Sequence, residues 1–228
     1  MRGEVLSALL TQNTELSRDE PEIVANIGAQ LDHMGLTSWS ISVRRRIRDA
    51  ISRLEPNNVI EVGAGIGHLS AWLFDQFENG KSPELFQMVE EGSRFAVILT
   101  RLKNRFSGIN SKVVVGKSTL LAAETTAWKL SGGLVGESPL KNDADAIIVN
   151  SQLENIADNI EALLPLLSHN GVLFTVEPTP PVGDRSEDDA EVVGFNRWME
   201  LVKSNNEKYH IAFAPLFGGT IVAWLEKD

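Results

Sequence analysis

The sequence predicts an α/β protein built on a doubly wound, seven-stranded mixed sheet with helices on both faces. Strand-like and helix-like segments alternate from residue 58 to residue 205, which is typical of parallel strands joined by crossover helices. The last two strand-like segments flank the short connection LFGG, which predicts a hairpin and an antiparallel edge. We therefore expect one domain over residues 1–228, with a helical N-terminal extension at 1–55 and a core at 56–228.

The elements follow from local patterns. Helices are expected at 21–34, which has Pro21 near its start, and at 42–54, where Ser42 is a suitable cap. In the core, strands are predicted at 58–62, 84–89, 111–115, 145–149, 171–176, 209–215 and 219–228. The predicted core helices are 67–77, 93–106, 119–130, 154–167 and 188–205. Residues 129–143 are rich in Gly, Ser and Pro and are expected to form a surface loop.

Composition excludes several classes of function. The chain carries 31 acidic residues against 21 Lys and Arg, a net charge of −10, which disfavours a nucleic-acid partner. It has no cysteine, so disulfides, thiolate zinc sites and Cys nucleophiles are excluded together. The N-terminus resembles neither a secretory signal nor a transit peptide, and no apolar stretch reaches the ~20 residues of a membrane span. We expect a cytoplasmic protein with no membrane partner.

The segment NNVIEVGAGIGHLSAWL places three glycines, Gly63, Gly65 and Gly67, between a strand and a helix. Such a turn lets ligand atoms approach the backbone at a helix N-terminus. The dinucleotide fingerprint requires its third glycine where this chain has His68, so an NAD(P) enzyme is disfavoured. The acid-x-G-x-G-x-G order, beginning at Glu61, is instead that of class I S-adenosylmethionine (SAM) methyltransferases. A glycine-rich turn without a ligand remains the alternative.

Carboxylates near this turn supply further candidates for cofactor binding. Glu90 ends the second strand, 23 positions after Gly67, where an acid accepts hydrogen bonds from ribose hydroxyls. Glu91 is adjacent and could take its place. Glu61, expected to be partly buried, is a candidate for orienting the amino group of the methionine moiety. Ala64, within the turn, completes this part of the predicted site.

A second turn follows the third strand, in VVVGKST at 113–119. It is not a phosphate-binding P-loop, because that motif requires glycine at position 111, which is Ser111, and should follow the first strand. We expect the turn at 116–118, with Lys117 and Ser118, to close over the adenine edge of the cofactor.

The order of these pieces resembles the cation-dependent O-methyltransferases of the caffeoyl-CoA and catechol type. The resemblance extends over residues ~40 to 225 and includes SISVRRRIRDAISRLEPNNVIEVG, the long helix DDAEVVGFNRWMELV and the closing segment APLFGGTIVAW. It implies a Rossmann-like SAM-binding fold, methyl transfer to a small-molecule acceptor at oxygen, and a homodimer.

The departures from that family concern the metal. The family holds a divalent cation with an Asp at the tip of the fourth strand and an Asp-Asn pair at the tip of the fifth. This chain has Asn150 at the first place and Glu177-Pro178 at the second. We therefore predict no metal. Glu177 is a candidate general base, a single remaining metal ligand or a solvated loop acid, and Asn150 is both a catalytic and a cofactor-binding candidate. A catalytically inactive SAM-binding protein with a regulatory or binding role remains the alternative.

Four further features are less specific. Asn150-Ser151-Gln152-Leu153 differs from the Asn/Asp-Pro-Pro-aromatic motif of amino-group methylation. His68 is expected to cap its helix or to be exposed. The basic run at 44–48, in which Arg44 replaces a glycine of the family, is expected to pair with acids on neighbouring helices, or to bind an anionic acceptor. Trp39 and Met34 either frame the acceptor pocket or simply pack.

Overall fold

The computed structural model describes residues 2–134 and 136–228 and confirms the predicted fold class. Its strands are β1 Asn58–Val62, β2 Leu85–Glu90, β3 Ser111–Val115, β4 Ala144–Val149, β5 Leu167–Val176, β6 Tyr209–Leu216 and β7 Gly219–Glu226. They form one sheet in the order β3-β2-β1-β4-β5-β7-β6. The first five strands pair in parallel, and β7 pairs antiparallel with both β5 and β6. The mixed edge is the predicted hairpin.

Helices lie on both faces of this sheet. Three precede it, α1 Arg2–Leu9, α2 Glu22–Met34 and α3 Ile41–Leu54. Five follow successive strands, α4 His68–Glu78, α5 Ser93–Arg105, α6 Ser118–Leu130, α7 Leu153–Leu163 and α8 Ala190–Asn205. Among the described residues, no helix is both long and apolar enough to cross a membrane.

Two of the differences from the predicted boundaries have a clear cause. Ser42 is not the cap of α3: the hydroxyl of Ser40 accepts the N–H of Val43, so the cap lies two residues earlier and the helix begins at Ile41. The helix predicted through residue 167 ends at Leu163 and gives way to a short 3-10 turn containing Pro165. Proline cannot donate a helical hydrogen bond, so the chain leaves the helix there and β5 begins early, at Leu167.

The core consists of two hydrophobic clusters, one on each face of the sheet. Neighbouring residues of β1 separate cleanly, since Val59 belongs to one cluster and Ile60 to the other. The first cluster also contains Leu6, Val24 and Ile47 from the N-terminal helices. The N-terminal extension thus shares its core with the sheet.

The loop after α6 has no helix or strand in its described residues, 131–134 and 136–143. It is nevertheless fixed to the sheet by Gln87 of β2. The Gln87 amide donates to the carbonyl of Pro139, and its oxygen accepts the N–H of Lys141. Leu140 between them is only 1% exposed, so one side chain of this surface loop belongs to the core.

Two of the three glycines between β1 and α4 are required by packing within the protein. A Cβ on Gly63 would lie 1.8 Å from the carbonyl oxygen of Asn150, at the tip of β4. A Cβ on Gly67 would lie 2.4 Å from a methyl group of Leu102 on α5. Both residues also have positive φ, 72° and 90°, which L side chains rarely adopt. These two glycines allow the turn to fit between its neighbours.

Substitution at Gly63 tests this packing. Gly63→Ala should lower the free energy of unfolding by about 3 kcal/mol or more, because the new methyl group overlaps a carbonyl held in the sheet and the backbone is strained. Gly65→Ala is the matched control, since Gly65 also has positive φ but no atom within 4 Å of an added Cβ. It should cost only about 1–2 kcal/mol. Urea denaturation measures both, and equal losses would contradict the steric account.

Candidate functional site

Glu90 fixes the glycine turn at the tip of β2. Its Oε2 accepts the N–H of Gly65 at 2.9 Å, and its Oε1 accepts the N–H of Gly92 at 2.7 Å. The N–H groups of Gly63 and Ala64 donate to the carbonyl of Val89, at 3.0 and 3.2 Å. The carboxylate is 9% exposed, and each of its oxygens can still accept one more hydrogen bond.

Gly65 differs from the other two glycines of the turn. Its φ is +58°, yet a Cβ built there would have no atom within 4 Å. No neighbouring protein atom therefore excludes a side chain at this position. The open space beside the backbone is the feature that a ligand lying against the turn requires.

A cavity of about 480 Å³ opens beside this turn, at the carboxyl ends of the parallel strands. This is where doubly wound sheets place their ligands. Five residues predicted from the sequence to contact the cofactor line it together, namely Gly63, Glu91, Lys117, Ser118 and Asn150. These residues come from four separate strand–helix connections. Gly63 and Asn150 are 87 positions apart in the sequence (150 − 63), and the fold brings them to one cavity.

The remaining predicted cofactor residues lie around this cavity rather than on its wall. Ala64, Gly65 and Glu90 belong to the hydrogen-bonded turn. Gly67 faces Leu99 and Leu102 of α5. Lys117 lies 3.7 Å from the carboxylate of Glu91, and both side chains are well exposed, which makes this a weak ion pair.

Glu61 is more deeply buried than the sequence predicted. It is 2% exposed rather than partly buried, and its Oε2 accepts the hydroxyl of Ser70 at 2.6 Å. Burial raises the pKa of Glu61 to about 8, and the Ser70 hydrogen bond offsets only part of this rise. The carboxyl group is therefore mostly protonated at neutral pH, and a nearby positive charge would favour its ionisation.

The sequence analysis missed a polar network on α7. The hydroxyl of Ser118 donates to Oδ1 of Asn159 at 2.6 Å, and Nδ2 of Asn159 donates to the hydroxyl of Ser151 at 2.6 Å. Asn155 and Asp158 line the same cavity. Asn155 and Asn159 are spaced i, i+4 and therefore lie on one helix face. This spacing could have predicted the network from the sequence.

A second cavity, of about 560 Å³, lies beside the first. Trp39, Glu177 and Pro178 line it, and the two cavities share Ser151 and Gln152. The N–H of Glu177 donates to the carbonyl of Thr220 at 2.8 Å, which fixes its backbone to β7, while its side chain is exposed. Trp39 is therefore placed to contact a ligand in this cavity.

Other residues suggested for this region do not meet there. Asn150 lines the first cavity and Glu177 the second, so these two catalytic candidates do not share one wall. Met34 is 46% exposed and lines neither cavity. In the part of the chain that the structure describes, no group of three or more His, Asp or Glu side chains could hold a metal ion.

His68 neither caps α4 nor is exposed, so the sequence prediction was wrong. It is 9% exposed, and its Nε2 lies 2.7 Å from Nη1 of Arg44. Gly28 on α2 leaves room for the ring, because a Cβ there would lie 3.4 Å from Nε2. Burial, and to a smaller extent the charge of Arg44, lowers the pKa of His68 to about 4, so the ring is neutral and can accept a hydrogen bond from the guanidinium group.

The basic run at 44–48 is likewise not a surface patch. Arg44 is 7% exposed and donates to Glu20 at 3.1 Å, ahead of α2, and to the carbonyl of Trp39 at 3.0 Å. Arg48 is 5% exposed and pairs with Asp49 of its own helix at 2.7 Å. The prediction of acidic partners was right for both arginines, but neither partner lies on a neighbouring helix. Arg44, Glu20 and His68 line a third cavity, of about 570 Å³.

No protein-family model matches this chain, and no curated protein matches it in sequence. Solved structures do match its fold. The chain has the class I methyltransferase fold. The O-methyltransferase TomG from Streptomyces achromogenes, in complex with SAM, superposes with a TM-score of 0.71 at 15% identity, covering 100% of both chains. An O-methyltransferase from Bacillus cereus, in complex with SAH, gives 0.69 at 15% identity, covering 98% of this chain and 100% of its own.

A third match comes from the family that the sequence resembles. It is a Staphylococcus aureus protein provisionally described as a caffeoyl-CoA O-methyltransferase. The TM-score is 0.68 at 13% identity, with 98% of this chain and 99% of that chain covered. At such identities the likeness establishes the fold, and function must be argued from the site.

The buried neutral His68 predicts acid sensitivity. Its pKa is about 4 in the folded protein against 6.5 ordinarily, so between these values the unfolded chain binds a proton that the folded protein does not. Stability is therefore full above pH 6.5 and falls toward pH 4, by on the order of 2 kcal/mol after allowance for partial hydration.

His68→Gln retains an acceptor for the Arg44 N–H but cannot titrate. Urea denaturation between pH 4 and 7.5 should show a flatter pH dependence for this variant than for the wild type. His33→Gln, at an exposed histidine of α2, is the control and should keep the wild-type slope. If His68→Gln has the wild-type pH dependence as well, the loss of stability at acidic pH is caused by other groups.

Proposed function

We propose that this protein binds SAM in the cavity beside the glycine turn and transfers its methyl group to an oxygen of a small-molecule acceptor. The observation that carries the proposal is the open space at Gly65, next to the cavity on which the separately predicted Glu91, Lys117 and Ser118 converge. The SAM- and SAH-bound neighbours of the same fold support it.

The residues present suit the chemistry of SAM. Glu90 has acceptor capacity left for ribose hydroxyls, and Ser118 and Asn159 offer polar groups for an adenine edge. Glu61, two residues before Gly63 in β1, is a potential anion for the ammonium group of the methionine moiety. When bound, SAM supplies a methyl group on a sulfonium centre that is already activated for transfer. The protein then has to position the acceptor and receive its proton.

The acceptor is assigned to the second cavity, since it adjoins the first through Ser151 and Gln152. Glu177, exposed at its edge, is the proposed general base. The residues do not suit the divalent cation of the resembling family, because Asn150 is neutral, Pro178 has no side-chain ligand and Glu177 is the one carboxylate among the three. The proposed transfer is therefore metal-independent.

One observation favours a second candidate, a SAM-binding protein without catalysis. The carboxylate of Glu177 has no hydrogen-bonded partner among the described residues to orient it as a base, and Asn150 lies on another wall. Both candidates bind SAM, but only the first produces S-adenosylhomocysteine with an acceptor. Homodimerisation, a cytoplasmic location and the absence of nucleic-acid and membrane partners stay predictions from the sequence.

SAM binding can be tested at Gly65. Gly65→Val fills the open space beside the backbone and should weaken binding of SAM and SAH at least about tenfold, as each lost ~1.4 kcal/mol corresponds to a factor of ten. Gly132→Val is matched, because Gly132 also has positive φ and no atom within 4 Å, but it lies beyond α6. Isothermal titration calorimetry should show wild-type affinity for the control. No heat with wild-type protein would overturn the proposal.

Protonated Glu61 predicts proton release on SAH binding. Its pKa of about 8 leaves it neutral in the free protein at pH 7, whereas a bound ammonium group nearby favours the carboxylate. Calorimetry in buffers of different ionisation enthalpy should therefore report release of about one proton per SAH at pH 7. Glu61→Gln should abolish that release and weaken binding. Equal proton release by both proteins would exclude the role of Glu61.

Metal independence can be tested by measuring SAH formation in the presence of a chelator. With a panel of phenolic acceptors, SAH formation should persist in EDTA and should fall at least about tenfold in Glu177→Gln, because proton removal by a positioned base contributes on the order of 10²–10⁴ to rate. Glu154→Gln, at another acid lining the same cavity, is the control. Activity that disappears with EDTA and returns with Mg²⁺ would contradict the proposed mechanism.

A further inference from the structure

Helix α5 is strongly basic and lacks a carboxylate of its own. It contains Arg94, Arg101, Lys103 and Arg105 and no acidic residue, although the chain as a whole has net charge −10. Within the described part of the chain, none of these four side chains forms an ion pair or a hydrogen bond. The arginines at 44, 48, 185 and 197, by contrast, all pair with carboxylates.

Two of these cations border a cavity of about 560 Å³ between α2 and α5. Its floor is apolar, formed by Ile23, Ile27, Ile66, Ile98 and Leu102. Its polar lining consists of Arg101 and Arg105 with the amides of Asn26 and Gln30, and it includes no carboxylate. The three cavities of comparable size described above are each lined by at least two acidic residues. This cavity alone among the four combines an apolar floor with unpaired positive charge.

We infer that this cavity binds a small amphiphilic anion, with an apolar body on the isoleucine floor and one carboxylate-like group between Arg101 and Arg105. The floor is rigid because Ile27, Ile66 and Leu102 are at most 7% exposed and belong to the core. Apolar burial on such a surface supplies affinity, and guanidinium groups bind carboxylates through paired, charge-assisted hydrogen bonds.

Charge spacing supports an anionic head group. Arg101 and Arg105 are separated by one helical turn, an arrangement in which like charges repel. A bound anion relieves that repulsion, whereas a neutral apolar molecule leaves both cations unpaired beside it. A simple inorganic anion, conversely, leaves the apolar floor uncovered. The two features together select a ligand that has both parts.

The site is separate from the proposed cofactor cavity, with which it shares no lining residue. It touches the glycine turn only through Ile66, between Gly65 and Gly67. The inference goes beyond the proposed function, because it does not require SAM binding or methyl transfer. Gly65→Val should bind the amphiphile with wild-type affinity, so failure of one proposal is distinguishable from failure of the other.

Octanoate and 1-octanol are the probes, because they share an apolar chain and differ in charge. Calorimetry on the full chain should show one octanoate site, with 1-octanol at least about tenfold weaker, as expected for loss of a paired charge. The double variant Arg101→Gln/Arg105→Gln should weaken octanoate at least about tenfold and leave 1-octanol unchanged.

The matched control is Arg94→Gln/Lys103→Gln, which removes the same charge from the same helix at residues that do not line the cavity. It should retain octanoate affinity within about threefold. None of the four side chains has a hydrogen-bond or ion-pair partner among the described residues, so circular dichroism should show folded protein throughout. No octanoate binding, equal binding of octanol, or equal losses in the two double variants would each overturn the inference.

Discussion

The site depends on one carboxylate at a strand tip. Glu90 receives the N–H of Gly65 from one connection and the N–H of Gly92 from the next, and thereby links the turns that follow β1 and β2. Charge-assisted bonds of this kind are roughly twice as strong as neutral ones. With the turn fixed, the positive φ of its glycines is maintained. A ligand then meets a preorganised backbone instead of having to order it.

The alternating glycines show how far sequence reasoning reaches. The order acid-x-G-x-G-x-G between a strand and a helix correctly predicted the turn and its place in the fold. It did not distinguish the three glycines, although their environments differ. Gly63 and Gly67 are required by the Asn150 carbonyl and the Leu102 side chain, which approach from distant parts of the chain, while Gly65 alone has free space. Local sequence patterns predict backbone conformation, but they do not predict which distant residues pack against it.

Contacts between distant parts of the chain also explain why the prediction for His68 was wrong and the prediction for the basic run at 44–48 was only partly right. Local spacing gave the helix, the sheet and the closing hairpin, because periodicity and turn chemistry are local properties. Local spacing could not reveal that the buried side chains of Arg44 and His68, 24 positions apart, are hydrogen-bonded to each other. A charged run appears solvent-exposed when its partners are unknown. The half-buried carboxylate of Glu20 and the neutral ring of His68 supply acceptors for the buried guanidinium group, which offsets part of the cost of burying its charge.

The strand tips also define what chemistry the site can perform. Asn150 and Glu177 follow neighbouring strands, β4 and β5, yet they border different cavities. A divalent cation needs several oxygen ligands converging within about 2–2.6 Å, most of them anionic, and one amide with one carboxylate does not provide that. Adjacent cavities joined at Ser151 and Gln152 instead suit two molecules placed side by side. In the proposed transfer, rate enhancement would come from holding the reacting atoms in line, and a single base at the outer cavity would remove the proton.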